Sequence, residues 1–161
     1  MKKVKRRKPQ PINKKVRNAR KINFNNIQFQ SKLELYCYKK LLDNGIEFEY
    51  EPQYFDLIPK IEYDASCFES YKKGTKWLFG PKSKLIRGIK YKPDFVNLKD
   101  KWIIECKGYP NEAFPLKWKL FKHYLKQHDM IVHLYLVKNP SHVDDCITNI
   151  LKTIYGRETI L

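Results

Sequence analysis

In residues 31–44, SKLELYCYKKLLDN, apolar side chains recur at Leu33, Tyr36, Cys37, Leu41 and Leu42, the spacing of one helix face. Ser31 stands where an N-cap belongs, Glu34 three residues later completes a capping-box pattern, and Gly45 is placed to end the helix. The period then changes to two: Ile46, Phe48 and Tyr50 alternate with Glu47, Glu49 and Glu51, which predicts a strand. Beyond it regularity is lost. Gly74, Gly80, Pro81 and Gly88 cut the chain into short pieces, predicting an inserted hairpin or loop at about 60–88.

YKPDFVNLKDKWIIECKG (91–108) reads as two strands joined at Lys99 and Asp100. FPLKWKLFKHYLKQHD predicts a helix with Pro115 in its first turn and Leu116, Leu120, Phe121 and Tyr124 on one side. MIVHLYLVK is an apolar run of the kind buried on both faces of a sheet. SHVDDCITNILKTIYG predicts a closing helix, capped by Ser141, with Asp144 and Asp145 in its first turn. The order α-β-(insert)-β-β-α-β-α predicts an α/β (α+β) fold, a central mixed sheet flanked by helices.

Charge changes the picture at two places. The net charge is +16, yet residues 1–21 hold eleven Lys/Arg and residues 72–92 hold eight, neither with an acid. The remainder carries 14 basic against 17 acidic residues, so the excess is two patches rather than a uniformly basic surface. Clustered cations suit a polyphosphate, because each phosphate contact releases condensed counterions. No amphipathic apolar helix accompanies the basic start, which ranks nucleic acid above a membrane surface. Residues 1–28 are expected to form a basic DNA-binding arm and 29–161 one folded domain. Expected phosphate contacts are Lys5, Arg6, Arg7, Lys8, Lys14, Lys15, Arg17 and Arg20 in the arm, Lys73, Lys76, Lys84 and Arg87 in the insert, and Lys117 and Lys119 on the helix that follows. The insert also carries Tyr71, Trp77, Phe79 and Tyr91, and aromatics so placed pack more often than they stack on bases.

Cysteine and histidine supply no rival chemistry. Cys37, Cys67, Cys106 and Cys146 form no C-x-x-C pair, and His142 with Cys146 has no second pair to complete a zinc site. Reduced thiols in a soluble cytoplasmic protein are expected; the start lacks a signal-peptide core, and no apolar run reaches membrane-spanning length. His123 and His128 are five apart, which is not zinc spacing, and His133 falls within the apolar strand as an expected core residue.

Residues i and i+2 of a strand point the same way, so Glu105 and Lys107 share a face, and Asp94 on the paired strand can lie beside them. A solvated salt bridge would explain Glu105 and Lys107 but not Asp94 after Pro93, nor Gly108 directly after the lysine. Two carboxylates held together call for a cation, and hard oxygen ligands favour Mg²⁺ or Mn²⁺, with the Cys106 backbone carbonyl as a further oxygen donor. A metal so held lowers the pKa of bound water and stabilises charge on a phosphodiester. Lys107 would position that water and offset developing charge.

Pro93-Asp94, a ten-residue gap and Glu105-Cys106-Lys107 resemble the PD-(D/E)xK nuclease superfamily. FQSKLELYCYKKLLDNGIEFEYE (29–51) looks like the opening helix and strand of phage endonuclease I-type, Holliday-junction-resolving nucleases and related small phage nucleases. The resemblance covers roughly residues 29–138 apart from the insert. It implies a restriction-endonuclease-like core and an Mg²⁺-dependent DNA endonuclease, phage-encoded, acting on branched, replicative or packaging DNA in the host cytoplasm or the virion. Carried over, Asp94 and Glu105 are metal ligands and Lys107 the catalytic lysine. Glu34 matches the helical glutamate that binds a second metal or orients water, although a capping box also asks for a glutamate there. A homodimer on double-stranded DNA is implied, with no membrane and no small-molecule cofactor. The insert and the arm depart from the family pattern. The alternative is a DNA-binding or virion-associated protein on a nuclease scaffold whose cleavage is weak or lost.

Overall fold

The computed structural model describes residues 21–82, 84–153 and 156. They form a mixed α+β chain with three helices and several small sheets. In chain order the elements are β1 (Ile22–Phe24), β2 (Ile27–Phe29), α1 (Lys32–Asp43), β3 (Glu49–Tyr50), β4 (Phe55–Ile58), β5 (Ile61–Glu62), β6 (Phe68–Lys73), β7 (Lys76–Pro81), β8 (Leu85–Ile86), β9 (Ile89–Tyr91), β10 (Phe95–Asn97), β11 (Trp102–Cys106), α2 (Phe114–Gln127), β12 (His133–Val137) and α3 (Pro140–Thr153). From α1 onward this is the order expected, with β4 to β9 as the insert.

The chain divides into two compact units: Met1–Glu47 with Cys106–Pro115 and Leu136–Leu161, and Phe48–Glu105 with Leu116–Tyr135. In the first, the described residues open with a hairpin where the end of a basic arm was expected. Ile22 pairs with Phe29, and Asn25 and Asn26 take the positive φ angles (49° and 61°) of a tight hairpin turn, which asparagine tolerates. The arm's Lys5, Arg6, Arg7, Lys8, Lys14, Lys15, Arg17 and Arg20 lie outside the described residues. Phe29 is fully buried and its ring meets Tyr38 of α1 edge-on at 5.0 Å.

Helix α1 starts at Ser31, whose Oγ accepts from the Glu34 N–H at 3.2 Å. It ends where Gly45 (φ 63°) lets its own N–H reach the Leu42 carbonyl and the Ile46 N–H reach that of Leu41, the paired bonds of a Schellman stop. The buried side chains are Glu34, Cys37 and Leu41; Leu42 is half exposed. Against α1 lies α3, joined by the Tyr36 hydroxyl donating to Asp144 at 3.0 Å and Lys40 pairing with Asp144 at 2.9 Å. The cap of α3 is not Ser141. The Asn139 side chain accepts from the His142 N–H at 3.0 Å and Pro140 opens the helix, so Asp144 and Asp145 fall beyond the first turn. Proline suits the first helical position because no N–H is wanted there.

In the second unit, the body of helix α2 buries Trp118, Phe121 and Leu125, a spacing of three and four. Leu116, expected on that face, is 59% exposed. Phe55 and Tyr91, paired across β4 and β9, complete this core, with ring centroids 5.1 and 4.6 Å from Phe121. Between these two residues the insert is a nested series of antiparallel pairs: β4 with β9, β5 with β8, β6 with β7, closed at Gly74 (φ 61°). It is therefore one β-ribbon over 55–91, wider than the expected 60–88, and its outer strands are mostly exposed.

A four-stranded sheet runs in the order β12-β11-β10-β3. The pairs β3–β10 and β10–β11 are antiparallel. Between β11 and β12 the bonds from His133 N–H to Lys101 O and from Lys107 N–H to Val137 O climb both strands together, as in a parallel pair. β12 is an edge strand and is not buried on both faces: of its five residues only Val137 is buried, and His133, expected in the core, is exposed. The strands buried throughout are β10 and β11.

Candidate active site

The ladder of β10 and β11 pairs Phe95 with Ile104, Val96 with Ile103 and Asn97 with Trp102. Its turn is held by the Asn97 side chain, which accepts from the Asp100 N–H at 2.7 Å and donates to the Asp100 carboxylate at 2.8 Å. At the end of the ladder away from that turn, one step beyond Phe95–Ile104, the same register continued would set Asp94 opposite Glu105. Directly opposed residues share a face, with Cβ atoms about 4.5–5.5 Å apart. Glu105 is 5% exposed, Asp94 is half-buried, and Pro93 behind it is fully buried.

Tyr91 ties the two acids to one locality. Burial pushes its hydroxyl far above the ordinary tyrosine range, and the nearby Glu105 and Asp94 charges push it further. One buried, protonated phenol thus senses both carboxylates.

On the other side of Asp94 the row continues to Glu51, whose N–H donates to the Asp94 carbonyl at 2.7 Å. Its carboxylate pairs instead with Lys92 at 2.7 Å, and its φ is positive (45°). Among the described residues no group of three or more His, Cys, Asp or Glu side chains is gathered to hold a metal ion. A zinc-type cage of side chains therefore does not fit. The donor set of a magnesium ion does, since that ion keeps several waters and is held through one or two carboxylates. Asp94 and Glu105, both in the second unit, could supply its carboxylates.

Lys107 follows β11 in the other unit. Its N–H donates to the Val137 carbonyl at 2.8 Å, so the ladder runs one residue past Cys106. Its Nζ lies 5.2 Å from the centroid of the Phe114 ring. In that same unit Glu34 is 5% exposed: one carboxylate oxygen accepts from the Gln30 N–H and the other from Ser31 Oγ, both at 2.8 Å. The capping function expected as its competing role is thus present.

Of the expected phosphate contacts, Lys73, Lys76, Lys84 and Arg87 are exposed on the ribbon and Lys117 and Lys119 on α2, all in the unit of Asp94 and Glu105. Lys117 Nζ donates to the Lys90 carbonyl at 3.4 Å.

A family model described as a protein of unknown function, DUF1064, matches residues 14–139, most of the chain and all of this site. The chain belongs to the DUF1064 family. No curated protein and no solved structure gives a significant match. The DUF1064 match includes the strand pair, the ribbon and α2, and ends ahead of α3. Within it, sequence reasoning missed Tyr91 as a site residue, grouping it with the aromatics of the insert. The available signal was its place at the end of the insert, three residues before Asp94. It also missed Glu51 and Lys92, which flank Asp94.

Proposed function

We propose that this DUF1064 protein is an Mg²⁺-dependent DNA endonuclease with a restriction-endonuclease-like core. The register that opposes Asp94 and Glu105 at a buried strand end carries this reading, and it accounts for both halves of the Pro-Asp and Glu-Cys-Lys pattern. A salt bridge between Glu105 and Lys107 would not need Asp94 opposite.

Asp94, Glu105 and the Cys106 carbonyl would hold the ion. Bound there, it would supply an activated water and charge stabilisation at the phosphodiester. Lys107 contributes a cation on the Glu105 face, where it offsets negative charge developing on the phosphate and holds the attacking water in line. Tyr91 stays protonated and keeps a donor beside Glu105. Glu34, its carboxylate held by Gln30 N–H and Ser31 Oγ, keeps in this reading only the water-orienting role that the family resemblance implies. The exposed cations of the ribbon and α2 bind backbone phosphates without reading bases.

A phage origin, branched or replicative DNA as substrate, and action in the host cytoplasm or virion belong to the same reading. Among the described residues no helix is long and apolar enough to cross a membrane. A homodimer would place two cuts in opposite strands; light scattering on a gel-filtration peak, with and without DNA, tests it, and a monomer in both overturns it. The test of the chemistry is cleavage of supercoiled plasmid and of a labelled four-way junction with Mg²⁺, Mn²⁺ or EDTA. Metal-dependent cutting that Asp94→Ala, Glu105→Ala and Lys107→Ala each abolish is expected. DNA binding without any cutting by the wild type would leave a binding protein on a nuclease scaffold.

A further inference from the structure

We propose that the outer end of the ribbon, β6 and β7, is a stacking platform for unpaired nucleobases on a phosphodiester strand. The pairs Phe68–Pro81, Ser70–Phe79 and Lys72–Trp77 alternate with Glu69–Gly80, Tyr71–Leu78 and Lys73–Lys76. One face therefore presents Phe68, Phe79 and Trp77 together. These rings are 56%, 72% and 72% exposed, and Phe68 and Phe79 lie near-parallel with centroids 6.2 Å apart. At the root of the same ribbon, Phe55 and Tyr91 are buried. The insert thus packs its aromatics at one end and offers them to solvent at the other.

Three observations select the occupant. First, a lone two-stranded ribbon is at best marginally stable in water, so a face this apolar gains from a partner. Second, that partner is anionic. Lys72, Lys73 and Lys76 crowd the tip, Lys73 sits directly opposite Lys76, and residues 72–92 hold eight cations and no acid. Like charges so opposed are destabilising until a counter-charge arrives. A second copy of this chain, at +16, brings the wrong sign. Third, two of the three exposed rings have polar cross-strand partners, Ser70 beside Phe79 and Lys72 beside Trp77. That alternation suits a base with a π-face, polar edges and a phosphate, and does not suit acyl chains. Base–aromatic stacking is sequence-tolerant, because every base offers a π-face.

The inference rests on the nuclease reading only in taking the bound strand to be the one that is cut. The test is binding of 20-nucleotide single-stranded DNA, the same sequence as RNA, and a 20-base-pair duplex, all in EDTA. Anionic phosphatidylglycerol vesicles and sedimentation of the free protein run alongside. Trp102 and Trp118 are buried, so quenching of the exposed tryptophan reports Trp77. Single strands are expected to quench it. By fluorescence anisotropy of end-labelled strands, the double variant Trp77→Ala/Phe79→Ala is expected to bind them at least about tenfold more weakly, with duplex affinity changed less than about threefold. The DNA and RNA arms show which sugar is accepted. Unchanged circular dichroism confirms that the variant folds, as both rings are exposed.

Single-strand affinity equal to wild type in the variant would overturn the platform. So would emission changes seen only with vesicles or only on self-association. If no DNA is cut under any metal yet the single-strand result stands, the nuclease reading fails and the platform survives. If cutting is normal and the variant binds single strands like wild type, the platform alone fails.

Discussion

Phe95 stands opposite Ile104 across β10 and β11, and this register carried one step further opposes Asp94 and Glu105, whose charges both hold the buried Tyr91 hydroxyl protonated. Burying one carboxylate beside another costs both hydration and Coulomb energy. A divalent cation removes both penalties at once.

The protonation of Tyr91 sets a testable pH dependence. An unperturbed tyrosine titrates near pH 10, whereas burial first, and the neighbouring acids next, keep Tyr91 protonated in the folded chain. Its folded pKa is raised, so its contribution to stability is fully present below about pH 10 and is lost as pH rises beyond. In urea unfolding above that pH, wild type should lose stability more steeply than Tyr91→Phe, by about 1.4 kcal/mol per pH unit. Equal slopes would mean that Tyr91 ionises in the folded state like an ordinary tyrosine.

Glu34 has two roles that one substitution separates. Glu34→Ala removes the acceptors of Gln30 N–H and Ser31 Oγ and should cost about 1–3 kcal/mol of stability. Glu34→Gln keeps an oxygen for Gln30 and an amide for Ser31, so the melting temperature should return towards wild type. Cleavage should stay low in the glutamine variant if the negative charge serves catalysis. Full activity in Glu34→Gln would assign the residue to the helix cap alone.

The ribbon depends on Gly88 for space and on Gly74 for conformation. A Cβ at Gly88 would stand 2.8 Å from the Ile58 carbonyl oxygen and 3.2 Å from the Lys60 nitrogen, backbone atoms next to the Asp56–Ile58 register shift. Gly74 has open space around it but a φ of 61°. Gly88→Ala should cost about 1–3 kcal/mol through displaced backbone and speed amide exchange along β4 and β9. Gly74→Ala should cost about 1 kcal/mol, confined to the tip. Identical exchange profiles for both variants would contradict this division.

Thiol reactivity follows burial. Cys37, Cys106 and Cys146 are buried, Cys67 is half-buried, and burial followed by the nearness of Cys37 pushes the Cys146 thiol up. One thiol should react with a disulfide reagent in the native protein, and four after unfolding. Fast reaction of Cys146 in the native state would show that α1 and α3 open readily.

Much of this was legible from the chain because local chemistry and tertiary packing agree there. Ser31, Gly45 and the alternation after Ile46 each have a local cause that the fold keeps. The Asp94–Glu105 relationship was legible because a short turn at Lys99 and Asp100 fixes the register of the strands it joins. Failures came where a longer-range contact decided. Leu116 has the right period, but Phe55 and Tyr91 from the ribbon root meet the Trp118–Phe121 side of α2, leaving Leu116 outside. His133 and its neighbours are apolar enough for a central strand, yet β12 lies at an edge. The ribbon itself had no period to read, since both of its faces meet solvent over most of its length.

The central claim is that Asp94 and Glu105 together hold a divalent cation. Calorimetric titration of the metal-free protein with Mn²⁺, repeated for Asp94→Asn and Glu105→Gln, tests it most directly. The account predicts a site whose affinity falls at least about tenfold in each variant, the equivalent of about 1.4 kcal/mol. Wild-type protein that binds no Mn²⁺ at millimolar concentration, or variants that bind it as well as wild type, would contradict it.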